Sequence, residues 1–183
     1  ADRVARDLPL TTEYDNPYDP PRRRTSMLIA FDFDGTLSDS EMTVLLGEEA
    51  GVADEIDEIT ERAMNDEISY AKSLYARAEL LDGLGEPHVE VGFDRVSLRP
   101  GSADVIEALS AAGHHVAILT GGFDRGVEKA LDAAGTSVDT IVANRLPIRN
   151  GKLTGNVEGP LIEGTKDDAL AAFAEDLDIP MAD

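Results

Sequence analysis

Cysteine and tryptophan are absent from this chain of 183 residues, and lysine stands only at Lys72, Lys129, Lys152 and Lys166. Without cysteine there is no disulfide, no thiolate metal site and no cysteine nucleophile. That suits a reducing interior, and a cytoplasmic location is the expectation. Aromatic residues make up only 5% of the chain against 42% hydrophobic residues in all, so the core is expected to rest on Ala, Val, Ile and Leu. No apolar run approaches the roughly 20 residues that span a bilayer. The N-terminus carries no signal-peptide h-region, and no membrane partner is expected. Positive charge is scarce as well. Acidic residues number 37 against 16 basic ones, a formal net charge of -21. Such a surface repels nucleic acid and anionic lipid, so neither is an expected partner. Two readings of the imbalance compete: a generally acidic cytosolic protein, and a halophilic one in which salt screens the self-repulsion. Scarce Lys beside abundant Asp and Glu favours the second.

What is present falls into distinct stretches. Residues 1–26 carry Pro9, Pro17, Pro20, Pro21 and the basic run Arg22 to Arg24, with no sustained period, and read as a flexible tail. From Met27 the segment MLIAFDFD reads as a buried strand. Helical spacing follows over Met42 to Ala50, Ala53 to Asn65 and Ser69 to Leu81, with Gly51, Gly83 and Gly85 as breaks. After Pro100-Gly101 helices and strands alternate: a helix over Ala103 to Ala112, a strand over His114 to Thr120, a helix over Phe123 to Ala134 and a strand from Thr140. Asn150-Gly151 is a strong two-residue hairpin signal between Leu146 to Arg149 and Lys152 to Val157, and Pro147 suggests an edge strand. Thr165 can cap a last helix running to about Leu177. The order implies an α/β fold, a parallel three-layer core with a helical insertion after the first strand. In such sheets ligands sit beyond the carboxyl ends of the strands.

Two groups of residues lie at those ends. In DFDGTL, Asp32 and Asp34 stand two positions apart where an apolar strand stops. One carboxylate there can attack a phosphoryl group while the other serves the leaving oxygen as acid and then water as base. Gly35 and Thr36 allow backbone N–H groups to turn toward a phosphate oxygen, and a cation would neutralise the nucleophile. Asp-x-Asp alone is weak, since acidic turns are common; the full string behind an apolar strand is strong. Thr120, Gly121 and Gly122 form the second group, where glycine permits close backbone approach. Lys166 opens a helix, against the sign that the helix dipole prefers there.

MLIAFDFDGTL resembles the first motif of the haloacid dehalogenase superfamily. Glu41, Arg77, ILTGGFD (Ile118 to Asp124), ANRL and NGKLTGNVEG together are similar to its phosphoserine phosphatase branch. The likeness runs from about Met27 to Leu177. It implies a Rossmann-like core over residues 27–41 and 95–183 with a small helical cap over 42–94. It also implies a magnesium-dependent phosphatase that releases serine from phosphoserine. Asp32 would be phosphorylated and Asp34 would be acid and base, the two also holding Mg²⁺. Thr120, Gly121 and Lys166 would hold the phosphoryl group, while Glu41 would read an ammonium and Arg77 a carboxylate. For Glu41 and Arg77 an exposed helical charge is the alternative. Met64 and Tyr70 match apolar positions that close over substrate, or else pack helices. His88, His114 and His115 match nothing in the pattern.

The family's fourth motif, an acidic pair that completes the magnesium site, has no counterpart before Asp183. Asp167 and Asp168 sit at a helix start and do not replace it. The expectation is therefore a chain truncated at its C-terminus. The alternatives are the same chemistry on another small phosphomonoester, and a catalytically silent fragment. Gly35, where many relatives have Ser, is a mild departure.

The charge reading has a direct test. If self-repulsion at a net charge of -21 loosens the fold, the thermal midpoint should rise steadily with potassium chloride, since the Debye length shrinks to about 3 Å at 1 M. A midpoint indifferent to salt would contradict halophilic adaptation.

Overall fold

The computed structural model describes residues 26–179. The expected tail lies outside this range apart from Ser26, as do the last four residues. Three parallel strands form the main sheet: β1 (Leu28–Phe31), β2 (His115–Phe123) and β3 (Thr140–Asn144), in the order β1-β2-β3. Leu28 pairs with His115 and Phe31 with Ile118. On the other side Ala117 pairs with Thr140 and Leu119 with Val142. The central strand is flanked on both edges, which explains its unbroken apolar run: Val116 to Leu119 are all buried. The crossovers are helical, α5 (Ser102–Ala111) leading into β2 and α6 (Asp124–Ala134) joining β2 to β3. This is the parallel α/β arrangement that the alternation of elements implies.

Between β1 and α5 the chain forms α1 (Met42–Ala50), α2 (Ala53–Met64), α3 (Tyr70–Leu80) and α4 (Glu86–Asp94). Three of these match the helical spacing of the sequence; α4 is an addition. Its signal is masked by Gly85, Pro87 and Gly92. Gly85 is its N-cap and Pro87 lies in its first turn, where a missing N–H costs nothing. Gly92 sits inside the helix because α1 is close: a Cβ there would come within 2.9 Å of Leu46 Cδ2. The two passages of chain between sheet and helices are tied to each other. Ser38 Oγ donates to the Ser97 carbonyl at 2.7 Å, and the Arg99 amide donates to the Leu37 carbonyl at 2.8 Å.

The helices are also fastened to the sheet side. Phe93 of α4 meets Phe123 at the end of β2 edge to face, with ring centroids 6.4 Å apart. Along α4, Glu86, Glu90 and Asp94 face Arg125 and Lys129 of α6 in a ladder of ion pairs. The Asn-Gly turn forms, with positive φ at both Asn150 (54°) and Gly151 (73°). Its arms are shorter than the sequence suggests: β4 (Ile148–Arg149) and β5 (Lys152–Leu153). The Leu153 amide and carbonyl face the other way, pairing with Leu84 and Gly83 of the α3–α4 connection. Beyond Leu153 the arms stay joined only at intervals, the Thr154 amide donating to the Pro147 carbonyl and Arg145 and Glu158 exchanging backbone bonds. The last helix, α7 (Lys166–Asp176), is capped by Thr165, whose side chain accepts from the Asp168 amide at 3.1 Å. No helix among the described residues is long and apolar enough to cross a membrane.

Leu46 is fully buried where α1 meets α4. Leu46→Ala should lower the unfolding free energy by about 2–5 kcal/mol in chemical denaturation, through lost transfer energy and the cavity left behind. A loss below about 1 kcal/mol would mean that the helices close the gap.

Candidate active site

Where the chain leaves β1, Asp32 Oδ1 accepts a hydrogen bond from the Phe33 amide at 2.8 Å and pairs with Lys166 Nζ at 2.7 Å. Both contacts fall on one oxygen, and Asp32 Oδ2 has no protein partner among the described residues. Phe33 is fully buried, and its carbonyl accepts from the Thr36 and Ser38 amides, curling the chain into a tight turn. Gly35 within that turn has φ of 76°, a left-handed conformation that glycine adopts without strain.

Asp34 occupies a different environment from Asp32. Burial above all, then the charges of Glu41 and Asp32, push its pKa from 3.8 up to about 7, against the pull of Lys166 and Arg77. Its Oδ1 is buried without a hydrogen-bond partner among the described residues. Room for the carboxyl comes from Gly122, where a Cβ would lie 2.5 Å from Asp34 Oδ2. A carboxyl that titrates near neutrality can both give and take a proton.

The second wall is the end of β2, where the pairing with β3 slips between Leu119 and Phe123. Irregularities of this kind re-aim side chains at sites. Thr120 is buried, and its Oγ1 accepts from the Gly122 amide at 3.0 Å. The Gly121 carbonyl accepts from Asn144 Nδ2 at 3.0 Å and from the Tyr70 hydroxyl at 3.1 Å. Asn144 is fully buried and also accepts from the Leu161 amide at 3.1 Å, so one amide side chain ties β3 to the end of β2 and to the loop before α7.

Helices α1 and α3 close the other side. Glu41 is the N-cap residue of α1, yet its side chain makes no capping bond. Arg77 is buried in α3; its Nε donates to the Ser73 carbonyl at 3.4 Å and its Nη1 to Thr43 Oγ1 at 3.2 Å. Burial lowers its pKa, an effect opposed by Tyr70, Glu41 and Asp34. No carboxylate pairs with it among the described residues.

Asp32, Asp34, Glu41, Arg77, Thr120, Gly121 and Lys166 thus line one cavity of about 380 Å³. Gly35 and Thr36 are not among the residues that line it, and the Thr36 amide donates to the Phe33 carbonyl within the turn. Tyr70 lines the cavity too, whereas Met64 is 81% exposed on the outside of α2. The sequence gives no warning of the parts played by Thr43, Asn144 and the Tyr70 hydroxyl. Thr43 looks like one more helical residue, and Asn144 lies in a string matched only by resemblance.

The Asp32 carboxylate, one oxygen of which has no protein partner among the described residues, and the Asp34 backbone carbonyl offer the hard oxygen donors that a divalent cation takes. These two fit part of an oxygen shell. No cluster of three or more such ligands occurs among the described residues.

The Asp34 carboxyl makes stability depend on pH. Its folded pKa lies above its ordinary value, so the folded state holds more protons than the unfolded one between 3.8 and about 7. Stability contributed by the protonated group is therefore full below that window and is lost as pH rises through it. In chelator-treated protein, Asp34→Asn should melt above the parent at pH 8, with the difference shrinking toward pH 4. Parallel melting curves at all pH values would show that the carboxyl ionises as an exposed one does.

Residues 29–183 match the profile of the haloacid dehalogenase-like hydrolases. A phosphoserine phosphatase of Halobacterium salinarum is 54% identical over 148 residues, covering 81% of this chain and 70% of that protein. A solved structure described as substrate-bound phosphoserine phosphatase superposes with a TM-score of 0.78 at 36% identity, covering 86% of this chain and 74% of that one. Another, described as a phospho-aspartyl intermediate analogue of phosphoserine phosphatase, gives 0.77 at 37% identity, with 85% and 74% covered. The fold, the single cavity that gathers the acidic and basic side chains, and these likenesses agree: the chain belongs to the phosphoserine phosphatase family of haloacid dehalogenase-like hydrolases.

Proposed function

We propose that this protein hydrolyses O-phosphoserine to serine and phosphate through an aspartyl-phosphate on Asp32, with Mg²⁺ as cofactor, as the last step of serine biosynthesis. The observation that carries the substrate assignment is the pairing pattern inside the cavity. Lys166 is engaged with Asp32, while buried Arg77 has no carboxylate partner and Glu41 no cationic one among the described residues. A ligand with a carboxylate and an ammonium group answers the two unpartnered charges, and its phosphate would meet Lys166 beside Asp32. Arg77 suits the carboxylate because its fork is bidentate, and Glu41 suits the ammonium. In this reading residues 42–94 are a cap over the catalytic core.

The first step joins Asp32 Oδ2 to phosphorus as the bond from phosphorus to the serine oxygen breaks. Lys166, the Thr120 hydroxyl and the Gly121 backbone hold the non-bridging oxygens. Asp34, protonated near neutral pH, gives its proton to the departing serine oxygen. Now a carboxylate, Asp34 takes a proton from water as that water attacks phosphorus. The bond from phosphorus to Asp32 breaks, leaving inorganic phosphate and both carboxyl groups restored. Asp32, through its carboxylate, and Asp34, through its backbone carbonyl, would hold the cation, which would neutralise charge as nucleophile and phosphate meet. The solved phospho-aspartyl analogue of a family member supports Asp32 as the attacking group.

Phosphate release from phosphoserine with Mg²⁺ tests the assignment. Asp32→Asn should reduce turnover by about 10³-fold or more, since the nucleophile is lost. Arg77→Ala should lower kcat/KM for phosphoserine by about 10–100-fold and leave glycerol phosphate within about threefold. Equal losses on both substrates would assign the cavity to another small phosphomonoester, and substantial activity in Asp32→Asn would remove the covalent mechanism.

A further inference from the structure

Arg77 is the most constrained cation of the cavity, and what constrains it is a residue from another helix. Arg77 is 9% exposed as a residue, and its guanidinium has five N–H donors. The bond to the Ser73 carbonyl is long, at 3.4 Å, and comes from its own helix one turn back. The bond from Nη1 to Thr43 Oγ1, at 3.2 Å, spans 34 residues and joins α3 to α1. Thr43 is itself buried, lines the same cavity and lies two residues beyond Glu41, in the first turn of α1. Its hydroxyl accepts from Arg77 and donates to no acceptor among the described residues.

We propose that Thr43 is a positioning residue that fixes the Arg77 guanidinium relative to Glu41, and so sets the carboxylate specificity of the cavity. This rests on the reading of Arg77 as the group that receives the substrate carboxylate. A buried Arg on a flexible stem presents its fork usefully only when part of it is already held. With Nε turned to the Ser73 carbonyl and Nη1 held by Thr43, the remaining Nη donors are left for a planar anion. Because Thr43 and Glu41 share one helical turn, the spacing between the carboxylate-reading and ammonium-reading groups becomes a property of α1. A hydrocarbon side chain at position 43 would fill the same space without accepting the bond, leaving a buried donor unpaired and the fork unaimed.

Binding, without turnover, tests this through two phosphonates. One is the phosphoserine analogue with a methylene in place of the ester oxygen; the other, 3-aminopropylphosphonate, lacks its carboxylate. By calorimetry, Thr43→Val should weaken the first by about tenfold and the second by less than about twofold, the loss of one charge-assisted hydrogen bond. Thr43→Ser, which keeps the hydroxyl, should restore the first to within about threefold. Equal weakening of both ligands by Thr43→Val, or a Ser variant as poor as Val, would overturn the proposal. Should the Val variant not fold, the unsubstituted protein still decides. With Nη1 held, its ligand-free Arg77 must show two resolved Nη resonances in slow exchange, and a single averaged one would overturn the proposal. If the unsubstituted protein does not prefer the carboxylate-bearing analogue at all, the phosphoserine reading falls and this inference with it. A preference that survives Thr43→Val removes the role of Thr43 alone.

Discussion

Lys166 Nζ lies 2.7 Å from Asp32 Oδ1, and this ion pair underlies the arrangement of charge around it. Asp32, Asp34 and Glu41 converge on one cavity in a chain that already carries a net charge of -21. Like charges brought together in a partly dry space must either protonate or find cations. Both outcomes occur here. Asp34, the more enclosed, is pushed up to about 7, and Asp32 meets Lys166. The lysine stands at the start of α7, where the helix dipole disfavours it, so α7 is anchored at its first residue by the carboxylate at the end of β1.

Close approach, more than any single contact, shapes the cavity walls. Several glycines mark where elements meet at distances that a methyl group would prevent. Gly122 admits the Asp34 carboxyl, Gly92 admits Leu46 of α1, and Gly126 admits Met42 and Phe93 between the helical segment and α6. With the Phe93–Phe123 edge-to-face pair and the ion pairs between α4 and α6, they bring α1 and α3 over the ends of the strands. Tyr70 then reaches the Gly121 carbonyl, and Arg77 reaches Thr43. The electrostatics of the cavity follow from this packing, because burial is the largest cause of the shifts at Asp34, Tyr70 and Arg77 alike.

Much of this was legible in the residues themselves. A strand such as β1 or β2 announces itself because a buried parallel strand must be apolar throughout, and the Asn150-Gly151 turn because few residue pairs tolerate positive φ twice. The candidate side chains Asp32, Asp34 and Lys166 could be picked out because they are polar residues where a strand stops or a helix starts, and Thr120 because the apolar run of β2 breaks there. Helix α4 was not legible. Its glycines and proline are breakers by composition, and their placement at the cap, the first turn and a helix contact is tertiary information.

The sequence by itself determined the alternation of strands and helices, the acidic balance and which residue types stand at strand ends, since these depend on neighbours along the chain. Only the tertiary structure decided that Lys166 pairs with Asp32, that the Asp34 carboxyl is driven toward neutrality, and that Thr43 holds Arg77. Each of these depends on distances between atoms far apart in sequence and on how much water the intervening side chains exclude. Local spacing carries neither quantity.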